Sequence, residues 1–242
     1  MAETYKFFIN YSDSILREEF KTDTSNSNYY KDIKKDSLVM TSKMWEDSLS
    51  LLNKQWYVGH ILFPMQPPMY CELYKVNLQG SEEEEFVGVL SMAQPMGGSS
   101  YIFIFDTKQN GYRPLGQIEL SSFRNPCEVT FKKLLSDSCF EIVAYSDLHL
   151  SIYATQGLRV LHLEKNILYE SLEVATFFDD GDTIESKEVT FRDADHDLVF
   201  EAVVESKKGT EKSPDKILSR STETYLWNPN TRKYESRQIK NK

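Results

Sequence analysis

The feature that most constrains the fold of this chain is a segment that recurs along it. The middle copy begins with the residues EVTFK, and the last copy, 60 residues further on, begins with EVTFR. In each copy a second glutamate stands 13 residues after the first, and a weaker copy upstream keeps the same spacing. The pairs are Glu72 with Glu85, Glu128 with Glu141, and Glu188 with Glu201. Self-similarity of this kind predicts one structural unit repeated three times.

The second half of each unit also recurs, as an apolar run, a turn and an aromatic residue. Five residues separate Asp106 from Tyr112, and five separate Asn228 from Tyr234. The first of these turns contains Asn110-Gly111, which is typical of tight hairpins because both residues accept a positive φ. Each unit is thus predicted to hold four short strands in about 55–60 residues, the size of a propeller blade. In the middle unit the predicted strands are Glu128–Lys132, 141–144, 151–154 with 158–163, and 169–174.

The chain before the repeats differs from them and is predicted to form an N-terminal unit over residues 1–69. Residues 42–55 predict one short helix, since Trp45 and the leucines at i+4 and i+7 fall on one face. Residues 55–63 alternate apolar and polar side chains, as strands do. The repeat domain spans 70–242, in units of about 70–123, 124–182 and 183–242. We expect a mainly β fold, either propeller-like or an open layered repeat of four-stranded antiparallel units, because propellers have four or more blades.

The third unit carries a spaced series of acidic residues followed by two aromatic strand segments. The series is Asp193, Asp195, Asp197 and Glu201, and the segments are 225–228 and 233–235. This frame resembles the FG-GAP or VCBS-type repeats of integrin-α-like propellers, in three degenerate copies over residues 70–236. The resemblance implies a β-propeller, often in exported or surface proteins, that is used for binding.

The same resemblance implies a metal loop, since oxygen ligands at alternate positions can surround Ca²⁺. In the family a glycine follows the third aspartate, where the chain turns sharply, but this sequence has Leu198. In the middle unit the positions of the three aspartates hold Lys133, Leu135 and Asp137. We therefore expect a degenerate loop kept for its turn geometry, and no cofactor, in preference to bound calcium.

Charge and cysteine content disfavour several classes of protein. The chain has 28 basic and 37 acidic residues, a net charge of −9 and a pI of about 5.1, with the basic residues scattered, so nucleic-acid binding is not expected. Cys71, Cys127 and Cys139 form no CxxC motif, which disfavours a zinc site and a disulfide framework but leaves one bridge open. No segment predicts a membrane span. The expected location is cytoplasmic, or periplasmic or cell-surface if a signal peptide has been removed.

No catalytic motif accompanies these features. The four histidines have no serine or cysteine partner in a recognisable nucleophile motif. We therefore predict a non-catalytic binding protein, first of all a protein–protein interaction module such as an acidic inhibitor or immunity-type protein for a basic partner. A carbohydrate or cell-envelope binding protein and an unrecognised hydrolase are the alternatives. The candidate binding residues, of types enriched at interaction hot spots, are Tyr112, Arg113, Trp227, Arg232 and Tyr234.

Overall fold

The structure is a computed structural model that describes eight ranges of the chain. These are residues 57–63, 69–92, 98–108, 111–122, 127–150, 153–179, 182–210 and 217–236. The helix predicted over 42–55 lies outside them. Within these ranges the regular structure is all strand, and no helix suited in length and apolarity to crossing a bilayer occurs there.

Thirteen strands are described, and each one pairs antiparallel with its neighbour in the chain, apart from β5 and β6. They are β1 Tyr57–Phe63, β2 Met69–Val76, β3 Glu85–Met92, β4 Gly98–Lys108, β5 Gly111–Ser122, β6 Glu128–Lys132, β7 Glu141–Leu150, β8 Tyr153–Glu164, β9 Ile167–Asp179, β10 Thr183–Arg192, β11 Glu201–Thr210, β12 Ser219–Asn228 and β13 Lys233–Ser236. They form a five-stranded sheet, β1 to β5, and an eight-stranded sheet, β6 to β13. The predicted mainly β, antiparallel fold is confirmed.

The strands follow the three predicted units, but the structure has two sheets and not one for each unit. Unit one consists of β2 to β5, unit two of β6 to β9 and unit three of β10 to β13. Units two and three share a sheet because β9 and β10 pair, but only through three residues, Phe177–Asp179 with Ile184–Ser186. The pairing of β8 with β9 runs over eleven. Strand β1, which precedes the boundary predicted at residue 70, pairs with β2.

Unit two is the middle layer, and its two faces belong to two different cores. On β7, Ile142 and Ala144 pack with side chains of unit one such as Ile102. The residue between them, Val143, packs with Ala202 and other side chains of unit three. Successive side chains of a strand point to opposite faces, so apolar residues at consecutive positions are required in a layer that is covered on both sides.

The outer face of unit three is polar, which corrects the propeller expectation. On β11, Ala202 and Val204 are buried against unit two, whereas Val203 between them is only half-buried and Glu205 is exposed. The cross-strand neighbours of Glu205 are polar and exposed as well. A polar face of this kind ends a stack of repeats. The described strands accordingly form open layers and do not close into a propeller or a barrel.

Two cysteines lie in the interior as free thiols. Cys127, just before β6, is 2% exposed, and its backbone N–H donates to the buried hydroxyls of Ser91 and Ser100. Burial raises the pKa of its thiol to about 12. The thiol of Cys139 is also buried, which raises its pKa. Neither has the lowered pKa of a reactive cysteine, so both serve packing.

Candidate functional site

The second glutamate of every unit has one shared structural role. It begins the second strand, and its Oε2 accepts the backbone N–H of the residue seven positions earlier, on the far side of the preceding loop. The three pairs are Leu78 to Glu85 at 2.8 Å, Leu134 to Glu141 at 2.8 Å and Ala194 to Glu201 at 3.0 Å. The 13-residue spacing in the sequence therefore marks a loop whose two ends are joined by a hydrogen bond to its own glutamate, which we call a fastened loop.

The three fastened loops, residues 77–84, 133–140 and 193–200, are also joined to one another, and we call them the loop row. The N–H of Phe140 donates to the carbonyl of Asn77 at 2.9 Å, which links the first loop to the second. The N–H of Phe200 donates to the carbonyl of Leu134 at 2.7 Å, which links the second loop to the third. The row is consequently a continuous surface at one end of the stacked units.

The two candidate arginines lie in hairpins at this same end and make contacts between units. The guanidinium of Arg113 donates to both carboxylate oxygens of Asp106, at 3.2 and 2.6 Å, and to Asn166 of unit two at 3.2 Å. Arg232 of unit three donates to Glu164 of unit two and lies over the ring of Tyr169. Hydrogen bonding raises the pKa of both arginines and lowers that of Glu164.

The three candidate aromatic residues sit at the edges of the cores. Tyr112 makes edge contacts with Phe86 and Phe105 of its own unit. Trp227 and Tyr234 contact each other and belong to the core between units two and three, where Tyr234 is 6% exposed. Four of the five candidate binding residues therefore lie at contacts between units, whereas Tyr112 packs within its own unit, and the role of all five in binding stays a prediction.

The aspartates of the third loop converge, as the spacing suggested. Ligand oxygens of Asp193, Asp195 and Asp197 lie within 4.8 Å of one another. Asp193 also accepts the N–H groups of Asp197 and Leu198 at 3.1 and 3.3 Å, and Asp197 accepts that of Val199 at 2.8 Å. These side chains thus hold the loop in its turn, and their three carboxylates form a set of hard oxygen ligands that suits a cation such as Ca²⁺.

Glu201 and Leu198 both bear on whether the third loop holds a cation. The Oε2 of Glu201 is bound to Ala194, in the role that Glu141 performs in a loop without the aspartate series, so the repeat accounts for this glutamate without a metal. Leu198 has φ of +70°, a left-handed backbone conformation that favours glycine, so the sharp turn is present with leucine at this position. Asp193, Asp195 and Asp197 are accordingly the residues that would hold a cation, and binding of calcium stays a prediction.

A buried polar cluster behind the second loop was not identified from the sequence. The carboxylate of Glu141 is fully buried, and its Oε1 lies 3.4 Å from Nδ1 of His162 and 4.0 Å from the sulfur of Cys139. His162 packs edge-on against Trp227 of unit three. The raised pKa of Cys139 keeps its thiol protonated, so it is not an activated nucleophile. The cluster instead forms part of the contact between units two and three. No local motif in the sequence predicts this cluster, because its members come from two strands and a loop.

The charges of the loop row are mostly negative. Lys75 pairs with Glu84 at 2.9 Å, and Lys133 donates to the carbonyl of Asp137 at 2.5 Å. The exposed acidic residues of the three loops are Glu82, Glu83, Glu84, Asp137, Asp195 and Asp197. Two exposed apolar side chains stand at the same end, Leu198 in the third loop and Ile167 at the start of β9. Exposed charged and apolar side chains therefore occur together at this end, as they do in protein interfaces.

Comparison with known proteins adds no family to this description. The chain matches no protein-family model, no curated protein and no solved structure.

Proposed function

We propose that this chain is a non-catalytic protein–protein interaction module that binds a basic partner through the loop row. The observation that carries the proposal is the pair of backbone hydrogen bonds from Phe140 to Asn77 and from Phe200 to Leu134. They hold three loops of separate units side by side. Carboxylates that are far apart in the chain therefore act as one surface.

The charge of this surface favours a basic protein over other partners. Acidic residues clustered on one surface raise the local negative potential, which steers a basic partner and increases its association rate. A net charge of −9 repels polyanions such as nucleic acid at the same time. An inhibitor or immunity-type protein directed at a basic target has this electrostatic character.

The exposed apolar side chains supply the second requirement of a protein interface. Leu198 is 50% exposed and Ile167 is 54% exposed, both at the loop-row end. Binding energy in protein interfaces comes mainly from a few well-packed side chains that lose their contact with water, while charges at the rim set rate and specificity. Leu198 is the stronger candidate for an anchor, since it belongs to the loop row itself, directly after the third aspartate, whereas Ile167 lies on β9.

The proposal is tested by affinity capture with the full chain as bait. Extracts and secreted fractions of the native host are passed over immobilised protein at about 0.05 M and about 0.5 M salt, and retained proteins are identified. We expect a basic protein that is retained at low salt and weakened at high salt. The triple variant Glu82→Gln, Glu83→Gln and Asp195→Asn should lower its association rate about tenfold.

A matched control removes the same charge elsewhere. Glu128→Gln, Glu188→Gln and Glu205→Gln neutralise three exposed carboxylates that lie outside the loop row. The control should leave the association rate within about twofold of the parent. Equal losses in both triple variants, or capture of no basic protein, would show that the loop row is not the docking surface.

A further inference from the structure

We infer that unit two carries a saccharide-binding site on the part of its sheet that lies away from the loop row. A cavity of about 230 Å³ opens there. Its lining includes Glu128, Tyr145, Asp147, Gln156, Gly157 and Thr176. This site is separate from the proposed docking surface and does not depend on it.

A break in the strand pairing opens this cavity. Along β8 and β9, Gln156 pairs with Phe177 but Gly157 pairs with Ala175, so Thr176 is an extra residue without a partner in the ladder. Such bulges bend a strand and redirect side chains, and they occur frequently at functional sites. Gly157 lies at this break and also lines the cavity.

The strand register gathers an aromatic ring and polar side chains on one face. Tyr145 on β7 stands directly opposite Glu128 on β6. Two residues along the same strand, Asp147 stands opposite Gln156 on β8. Residues at i and i+2, and residues directly opposite, share a face of a sheet. The half-exposed ring of Tyr145, at 36%, is therefore flanked by two carboxylates and an amide.

This combination suits the chemistry of a sugar ring. A pyranose has a face of C–H groups that can stack on an aromatic ring, and its hydroxyl groups both donate and accept hydrogen bonds. The tyrosine supplies the flat apolar surface, while the carboxylates accept and the amide of Gln156 does both. A neighbouring cavity of about 210 Å³ contains Arg159, which already pairs with Glu173 and Glu170, so we assign no anion to it.

Size and charge narrow the class of sugar. The volume is below the roughly 300–1,000 Å³ of pockets that enclose drug-sized ligands, so the site accommodates about one ring. Glu128 and Asp147 would repel a carboxylate or sulfate on the ligand and attract an amino group. The ligand class is therefore a neutral or amino-bearing hexose, free or at the end of a glycan, and not an acidic sugar.

The test is an NMR titration of the isotope-labelled full chain with glucose, galactose, mannose, glucosamine and glucuronic acid. We expect at least one neutral or amino hexose to shift the amides around Tyr145 and Gln156 with a Kd of about 1 mM, as is reasonable for a single ring. Glucuronic acid should bind at least about tenfold more weakly. Absence of any shift up to about 50 mM of every sugar, or preference for the acid, would overturn the inference.

Three variants separate stacking from general damage to the fold. Tyr145→Ala should weaken binding at least about tenfold, whereas Tyr145→Phe keeps the ring and should stay within about threefold. Phe178→Ala is the matched control, since Phe178 is 40% exposed on β9 but does not line the cavity. Its titration should match the parent. Equal weakening by Tyr145→Ala and Phe178→Ala, or none by Tyr145→Ala, would show that the sugar binds elsewhere.

Discussion

Units two and three have the same repeat but different surroundings. In unit two the three residues after the second glutamate, Ile142 to Ala144, are all buried, because unit one covers one face and unit three the other. In unit three the equivalent residues alternate, and Val203 is half-buried between two buried neighbours. It lies on the outer face of unit three, which no described strand covers and which we call the free face. The repeat thus determines the strands and the fastened loop, whereas the neighbouring layers determine how much free energy each side chain contributes.

The fastening glutamates provide the largest expected contrast between the two units. Glu141→Ala leaves the buried N–H of Leu134 without its acceptor, and the free energy of unfolding should fall by about 3 kcal/mol. Glu201→Ala should cost about 1 kcal/mol, since Ala194 is exposed and water can replace the carboxylate. Urea unfolding followed by circular dichroism measures both values.

A conservative variant tests whether the hydrogen bond is the cause. Glu141→Gln keeps an oxygen that can accept the N–H of Leu134. Its loss of unfolding free energy should therefore be at most about half of the loss caused by Glu141→Ala. If the alanine variants of Glu141 and Glu201 unfold with equal losses, the two loops are equivalent and burial by neighbouring units does not matter.

The valines at the middle of the second strands give the next contrast. Val143 is fully buried in the core shared with unit three, so Val143→Ala should lower the free energy of unfolding by about 2 kcal/mol through lost burial and a residual cavity. Val203→Ala removes the same two methyl groups from a half-buried position, and about 0.5–1 kcal/mol is expected. Thermal and urea unfolding of both variants measures the two losses. If Val203→Ala lowered the free energy of unfolding more than Val143→Ala, a fourth layer would have to cover unit three.

Much of this architecture follows from local pattern in the sequence. The predicted strand Glu128–Lys132 is β6 with the same bounds, and the strand predicted over 55–63 appears as β1, Tyr57–Phe63. The predicted turn at Asn228 is present, where the N–H of Arg232 donates to the carbonyl of Asn228 at 2.8 Å. Spacing and alternation succeed here because they reflect short-range geometry.

Contacts between strands that are far apart in the chain cannot be predicted from local pattern in the same way. Whether the layers close into a ring depends on whether the outer face of unit three is apolar, and that follows from cross-strand neighbours such as Glu188 and Glu205. The 13-residue spacing marks the second glutamates as repeat positions, but the acidic series also predicts Glu201 as part of the metal loop, because a sequence does not show its hydrogen bond to Ala194. The cavity beside Tyr145 depends on a bulge in strand register, which no residue pattern specifies.

The Arg232–Glu164 contact between units two and three should make their interface sensitive to acid. Its hydrogen bond lowers the pKa of Glu164 below the ordinary 4.5, so the contact contributes stability above that pH and loses it as pH falls through the lowered value. The difference in unfolding free energy between the parent and Glu164→Gln should be constant above about pH 5 and shrink below about pH 4.5. Arg232→Gln should remove this pH dependence, and a difference that grows towards low pH would contradict the assignment.

The smallest expected contrast concerns like charges on the free face of unit three. Glu188 stands directly opposite Glu205, and both are exposed, whereas the equivalent Glu128 of unit two stands opposite Tyr145. Like charges in this arrangement repel, so Glu188→Gln should raise the free energy of unfolding by about 0.3 kcal/mol, while Glu128→Gln should leave it unchanged. About 1 M salt screens exposed charges and should abolish the gain. A gain that survives high salt would mean that Glu188 is opposed by something other than the charge of Glu205, and the free face would then need a covering layer to explain it.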